Sequence, residues 1–178
     1  MTSIDAQAFR QTLGHFASGV TVLTGRSEAL GDLGMTASAF CSLSLDPPLV
    51  LVCVSRQAAL HDVLLGGPGF GISVLAASQV ALSDRFAGGI RDADGRWQPW
   101  PDERDRFADL ATTRGPHSGA LQLDDALVSL DCALHDSADG GDHTIVIGRV
   151  LHIRPLASDR ASDPLLYHGG RYGRFEGR

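Results

Sequence analysis

Apolar residues recur at helical spacing at the start of the chain. Ile4, Ala8, Phe9, Leu13, Phe16 and Ala17 share one face, which predicts an amphipathic helix from about Asp5 to Ala17, packed on the body of the fold. Ser18-Gly19 breaks it. The β-branched run Val20 to Thr24 predicts a strand, and Arg26 to Gly34, with Gly31 and Gly34, predicts a hairpin connection. Asp46-Pro47-Pro48 forces a turn, after which the unbroken apolar run Leu49 to Val54 predicts a strand buried on both faces. Ser55 then suits the N-cap of a helix to about Leu65, with Leu60, Val63 and Leu64 inward and the N–H groups of Arg56 and Gln57 free to face a phosphate. Gly66-Gly67-Pro68-Gly69 ends that helix. Phe70 to Leu75 reads as a strand, and Ser78 opens a short helix whose Val80 and Leu82 reach the core.

Later in the chain the period changes. Val128, Leu130, Cys132 and Leu134 alternate with Ser129, Asp131 and Ala133, the pattern of a half-solvated strand. Asp139-Gly140-Gly141-Asp142 is a hairpin turn, and His143 to Ile153 returns as the partner strand, closed by Pro155. Gly88 to Arg106 is polar and turn-rich, so it reads as a loop with a short helix after Pro101. Its Trp97 and Trp100 either pin it to the body or make it a lid. The glycines of the tail, Pro164 to Phe175, keep it flexible or let it approach a ligand closely.

A chain of 178 residues is expected to form one domain, residues 1–178, able to bury a core without staples. The net charge of −6 opposes a nucleic-acid surface and means that an anionic cofactor needs local arginines. Cys41, Cys53 and Cys132 lie in apolar stretches without Cys-x-x-Cys spacing and read as core thiols; the seven histidines lack metal-ligand spacing, so no metal site is expected. No run is apolar for long enough to span a membrane and no signal pattern precedes the first helix, which makes a cytoplasmic protein the expectation.

The densest candidate chemistry is Gly34 to Val54, GMTASAFCSLSLDPPLVLVCV. The short side chains of Thr36, Ala37, Ser38 and Ala39 would let a flat ligand lie against the backbone and take hydrogen bonds from hydroxyls and peptide N–H groups. The same pattern also suits an ordinary β-rich core. Arg85, ending the helix from Ser78, offers a planar bidentate donor to phosphate, or is simply solvated.

This segment resembles the central signature of the flavin reductase-like family, the reductase components of two-component flavin-dependent monooxygenases. The likeness runs nearly end to end: FRQTLGHFASGVTVLT resembles the family's opening, FGISVLAASQVALSDRFAG its middle, and GDHTIVIGRV and PLLYHGGRY its late motifs. The resemblance implies a β-rich α+β fold, an antiparallel Greek-key split β-barrel that binds FMN, with peripheral helices. It implies hydride transfer from NADH or NADPH to FMN or FAD, with reduced flavin diffusing to an oxygenase component, and a homodimer with flavin near the interface. The alternatives are a non-catalytic flavin-binding or electron-relay barrel, and a flavin-bound reductase of another acceptor such as a corrinoid.

Residue roles follow from position in the matching motifs. The resemblance places Met35, Thr36, Ala37 and Ser38 on the flavin ring and ribityl chain, and Cys53, Val54 and Ser55 on it through backbone groups. Gln57, Arg85 and Phe86 fall toward its phosphate end. His143 would seat the nicotinamide or carry its proton balance, and is otherwise a turn histidine; Tyr167, His168, Gly169, Gly170 and Tyr172 form the nicotinamide-side segment. Two departures stand out: Ser73 replaces a frequent asparagine, and Gly115-Pro116-His117-Ser118-Gly119 replaces a Gly-x-Pro-x-Leu turn. Gly88 to Arg106 is longer than the family's corresponding stretch.

Overall fold

The computed structural model describes residues 4–155 and 163–176, with the backbone alone at 103 and 104. In chain order the first half comprises α1 (Ala6–Leu13), β1 (Ser18–Gly19), β2 (Thr21–Ser27), β3 (Gly31–Ala37), β4 (Phe40–Leu45), β5 (Pro48–Ser55), α2 (His61–Gly66), β6 (Phe70–Val74) and α3 (Val80–Phe86). Next come β7 (Gly89–Arg91), β8 (Trp97–Pro99), a 3-10 turn (Glu103–Phe107), β9 (Thr112–Arg114), β10 (Leu121–Leu123), β11 (Val128–Gly140), β12 (His143–Pro155), β13 (Leu165–His168) and β14 (Arg171–Arg174). The fold is thus a β-rich α+β one with few helices.

Seven strands form one antiparallel sheet in the order β3-β2-β6-β11-β12-β5-β4. Its outer members meet in a shared core: Leu33 and Ala37 of β3 pack in one cluster with Val52 and Val54 of β5, Phe70 and Ile72 of β6, and Val146 of β12. The sheet is therefore curled rather than flat. Burying these side chains stabilises the fold by roughly 1.5–3 kcal/mol each before chain entropy is counted. A second cluster, with Val20, Val22, Leu75, Phe86, Leu123 and Leu165, joins α3 and the tail to the other side of β2.

Several elements differ from expectation. Helix α1 spans only Ala6–Leu13, capped by Asp5, whose carboxylate accepts from the Ala8 N–H at 2.9 Å, and none of its residues is buried. Phe16 beyond it is 79% exposed. The amphipathic pattern is present, but among the described residues nothing buries it. In β5 only Val50, Val52 and Val54 are buried; Leu49, Leu51, Cys53 and Ser55 alternate with them and are half-buried, so the strand is not enclosed on both faces. Ser55 is not a helix cap. It ends β5, its hydroxyl accepts from the Gln57 N–H at 3.3 Å, and α2 begins only at His61. The Arg56 N–H donates to the Asp142 carbonyl at 3.1 Å, so neither expected phosphate donor is free.

Gly34 lies inside β3 rather than in the connection, which is confined to residues 28–30. The tail is a hairpin, β13–β14, turned by Gly169 and Gly170 at φ of 56° and 78°. Its turn is tied down where the Gly169 N–H donates to the Gly14 carbonyl at 2.8 Å. Of the three cysteines only Cys132 is buried, and Cys41 is exposed. Burial first, and neighbouring Asp131 second, push the Cys132 thiol up to about 12.

The expected half-solvated strand is not solvated on its polar side. Ser129 and Asp131 of β11 are buried because β9, β10 and the turn at 115–119 cover that face. Asp131 is 0% exposed, and its carboxylate accepts from the His117 N–H at 2.7 Å, the Ser118 N–H at 3.2 Å and the Ser118 hydroxyl. A Cβ on Gly115 would lie 2.4 Å from that carboxylate, so the divergent turn is built around it. Ser73 is also absorbed into this packing: its hydroxyl accepts from the Leu123 N–H at 3.1 Å and faces the Ser129 hydroxyl at 3.3 Å.

Asp131→Ala leaves the two buried donors of Ser118 and the part-buried His117 N–H without an acceptor and is expected to cost about 3 kcal/mol. Urea unfolding followed by circular dichroism would read this as a lower midpoint at unchanged slope; an unchanged midpoint would show that the turn is held by other contacts.

Candidate functional site

Helix α3 lies against β3, and the small residues of β3 allow the close approach. Phe86 is 1% exposed, and a Cβ on Gly34 would fall 2.6 Å from its ring and 3.0 Å from Phe107. The Thr36 hydroxyl donates to the Ser83 carbonyl at 2.6 Å, and Arg106 Nη1 donates to the Gly34 carbonyl at 3.2 Å. Residues 34–36 are thus the floor under α3.

Three cavities surround α3. The first, of about 320 Å³, lies between β3 and the turn before α2, with Gly34, Met35, Thr36, Ala58, Phe86 and Arg106 on its walls. A second, of about 460 Å³, is lined by Thr36, Ser38, Trp97, Tyr167, Gly170 and Tyr172, and Thr36 and Ala87 belong to both. The third, of about 820 Å³, lies beside α3 and β7 and shares Asp84 and Arg91 with the second.

A polar network separates the second and third. Asp84, 4% exposed, accepts from the Tyr172 hydroxyl at 2.8 Å and from Arg91 Nε at 3.0 Å; the Ser83 hydroxyl meets the Tyr172 hydroxyl at 3.0 Å. Burial chiefly, with Asp84 as hydrogen-bond acceptor and negative neighbour, pushes the Tyr172 phenol up to about 12, against the opposing bond with Ser83. The phenol is therefore a neutral donor throughout the physiological range. Tyr167 meets Tyr172 edge to face at 5.3 Å between ring centres. Both the hydroxyl-rich segment near residue 36 and the C-terminal hairpin thereby face one space, although more than 120 residues separate them.

The other predicted positions divide. Ala37 and Val54 are buried in the core, so any ligand contact falls to their backbone. Cys53, Ser55 and His143 lie together on the half-buried outer face of β5 and β12, where His143 pairs with Ser55. His143 Nδ1 meets the Asp142 carboxylate at 2.7 Å, and this bond holds the Asp142 carboxyl below the usual range. None of these three lines the cavities just described. Gln57 is exposed beyond the end of β5; His168 meets His15 edge to face at 6.0 Å between ring centres. Arg85 Nη2 donates to the Asp105 and Ala108 carbonyls at 2.8 and 2.7 Å, and its guanidinium stacks 4.4 Å from the Trp100 ring centre. Burial lowers its affinity for the proton, and the nearby Asp109 and Asp105 oppose that effect. Arg85 therefore braces the loop.

Four contributors escaped the sequence reading: Ser83, Asp84, Arg91 and Trp97. Residues 88–106 hold a hairpin, β7–β8, with Arg91 opposite Trp97, and not only a loop. Its signal was available, because Asp94-Gly95 is a hairpin dipeptide and Gly95 adopts φ of 76°. Trp97 lies flat on Gly89, where a Cβ would be 2.2 Å from the ring, so one tryptophan pins the hairpin and the other braces Arg85.

Comparison with known proteins shows the family to which the chain belongs. The family model described as "Flavin reductase like domain" matches residues 13–176. An NADH-dependent FAD reductase of Streptomyces globisporus is 39% identical over 172 residues, covering 96% of this chain and 86% of that protein. The reductase component of 4-hydroxyphenylacetate 3-monooxygenase from Thermus thermophilus is 40% identical over 171 residues, 95% of this chain and 96% of that protein. Among solved structures, the Streptomyces globisporus NADH:FAD oxidoreductase SgcE6 superposes with a TM-score of 0.82 at 34% identity, covering 99% of each chain. The chain belongs to the flavin reductase-like domain family.

Proposed function

We propose that this protein is an NADH-dependent flavin reductase that supplies reduced FMN or FAD to a partner monooxygenase. The observation that carries this reading is the 460 Å³ cavity, where the flavin-side segment (Thr36, Ser38) and the nicotinamide-side hairpin (Tyr167, Gly170, Tyr172) face each other. Its walls fit planar rings: aromatic faces on two sides, small residues on the floor, and open space at Gly170. Bound flavin and reduced nicotinamide supply the redox chemistry, a hydride passing from one ring to the other. The chain's part is to hold both rings at contact distance, exclude water and present donors. The Ser38 hydroxyl is available there, while Tyr172 and Thr36 hold α3 in place through Asp84 and Ser83.

His143 lines none of the three cavities of a single chain, so we assign it to the nicotinamide or its proton balance as a residue that a second copy brings to the ring cavity. The Asp142 carboxylate engages Nδ1 at 2.7 Å, which among the described residues leaves Nε2 as the ring nitrogen available to a ligand. The face around His143, with Leu51, Cys53, Ile145 and Ile147, is apolar and only half-buried, and Leu45 and Ile153 are exposed toward the far ends of β5 and β12. These uncovered residues support a homodimer, and the shared core of β3 and β5 supports closure of the sheet as a Greek-key split barrel. Among the described residues no helix is long and apolar enough to cross a membrane, and a cytoplasmic location fits the supply of flavin by diffusion.

Anaerobic mixing with NADH and excess FMN or FAD should bleach the visible flavin spectrum over many turnovers, with a parallel NADPH arm testing nucleotide choice. Bleaching at background rates with every pair would sink the reductase reading, and a single turnover of co-purified flavin would favour a fixed group serving another acceptor. His143→Ala is expected to lower kcat/KM for NADH by about 100-fold; full turnover with unchanged nicotinamide affinity would remove it from the mechanism. Tyr172→Phe should cost about 2 kcal/mol of stability by stripping a donor from buried Asp84, and alkaline ultraviolet titration should lose the phenol that ionises near 12.

A further inference from the structure

The 820 Å³ cavity beside α3 and β7 has no part in the ring chemistry described above. It holds about 820 Å³, a volume suited to a drug-sized ligand, and is walled mainly by Val80, Leu82, Ile90, Trp100 and Leu110. It meets the ring cavity at the Asp84–Arg91 pair. Arg91 is placed unlike the other arginine of this region. Its side chain is 50% exposed, Nε is fixed on Asp84 at 3.0 Å, Nη1 approaches the Gly95 carbonyl at 3.4 Å, and among the described residues Nη2 makes no bond. The guanidinium also lies 5.7 Å from the Trp97 ring centre. Arg91 is thus held at its root, with donors to spare at the rim of both cavities. In a chain of net charge −6, such a cation is a selective anchor for an anion.

We propose that Arg91 binds the diphosphate of a dinucleotide whose redox ring lies in the 460 Å³ cavity and whose adenosine enters the 820 Å³ cavity. This chain therefore prefers ligands carrying adenosine diphosphate over the matching mononucleotides. The inference rests on the assignment of the smaller cavity to the redox rings. A diphosphate matches the planar fork of an arginine, and adenine matches an apolar slot edged by aromatic and aliphatic side chains. Ile90, Arg91 and Trp100 all come from residues 88–106. Specificity for the distal half of the ligand is then built on a segment that does not form the ring-site floor. FAD and NADH both carry adenosine diphosphate, so the source is settled by the arms of the experiment.

Calorimetric Kd values for FAD, FMN, NAD+ and nicotinamide mononucleotide would be compared for the natural chain, Arg91→Lys and Ala81→Trp. Lysine keeps a positive charge beside Asp84 but loses the fork; tryptophan at exposed Ala81 fills the large cavity without touching the ring cavity. Ala81→Trp is expected to weaken at least one dinucleotide about tenfold while the mononucleotides stay within about twofold, whereas Arg91→Lys weakens dinucleotides and also mononucleotides, which carry the ring-side phosphate. Weakening of FAD alone assigns the site to flavin, of NAD+ alone to the nicotinamide cofactor, and of both to either in turn. Unchanged dinucleotide affinity in either variant, or a loss in Ala81→Trp that is equal for the mononucleotides, would overturn the proposal. NADH turnover with FMN by the natural chain is measured separately. Its absence would overturn the ring-site assignment, whereas the affinity ratios are read without any turnover.

Discussion

Asp84 is a nearly buried carboxylate, and the site depends on how it is satisfied. An ionised carboxylate in such a place is costly unless paired and hydrogen-bonded. Here the partners are Tyr172 from the C-terminal hairpin and Arg91 from β7, while Asp84 itself belongs to α3. The C-terminal hairpin, 88 residues away, is thereby held to the same point as the neighbouring α3 and β7. Removing Arg91 would take the carboxylate's counter-charge and removing Tyr172 one of its hydrogen bonds, so the positions of the tail and the β7–β8 hairpin are coupled through it.

The second constraint is steric. Helix α3 can sit on β3 only because Gly34 has no side chain to meet Phe86, and because the Thr36 hydroxyl satisfies a carbonyl of α3. The same smallness keeps space open to either side of the helix. Close packing at Phe86 and open volume around it thus have a single origin, and the cavities are features of a rigid contact rather than of loose packing.

Much of this was legible in the sequence, for identifiable reasons. The β11–β12 hairpin was readable because Gly141, at φ of 80°, sits where a tight turn needs it, and the long flanking runs alternate. The floor at Thr36 and Ser38 and the glycines of the tail were readable through motifs. Where the reading failed, a tertiary contact overrode a local signal. Alternation in β11 marks Ser129 and Asp131 as solvent-facing, but residues 112–126 cover them, and no periodicity in β11 itself reports that cover. Ser55 has the chemistry of a helix cap, yet β5 continues to pair with β12 through His143, and the strand wins. Arg85 has the chemistry of a phosphate ligand, but two backbone carbonyls and Trp100 claim it.

Redistribution of the arginines has a functional logic. An arginine bonded to backbone carbonyls and stacked on an indole is committed to architecture, because a ligand would have to outcompete fixed, short bonds. An arginine that spends one nitrogen on a buried carboxylate and leaves its outer edge in water is positioned without being consumed. Its side-chain entropy is already partly lost through the bond to Asp84 and the contact with Trp97, so an incoming anion meets a prearranged donor. The ring site rests on β3 and the tail hairpin, whereas this arginine rests on the long segment after α3. That segment also lends Trp97 to the wall of the ring cavity, so the ring site and the choice of what hangs from it share one support, the Asp84–Arg91 pair at their common edge.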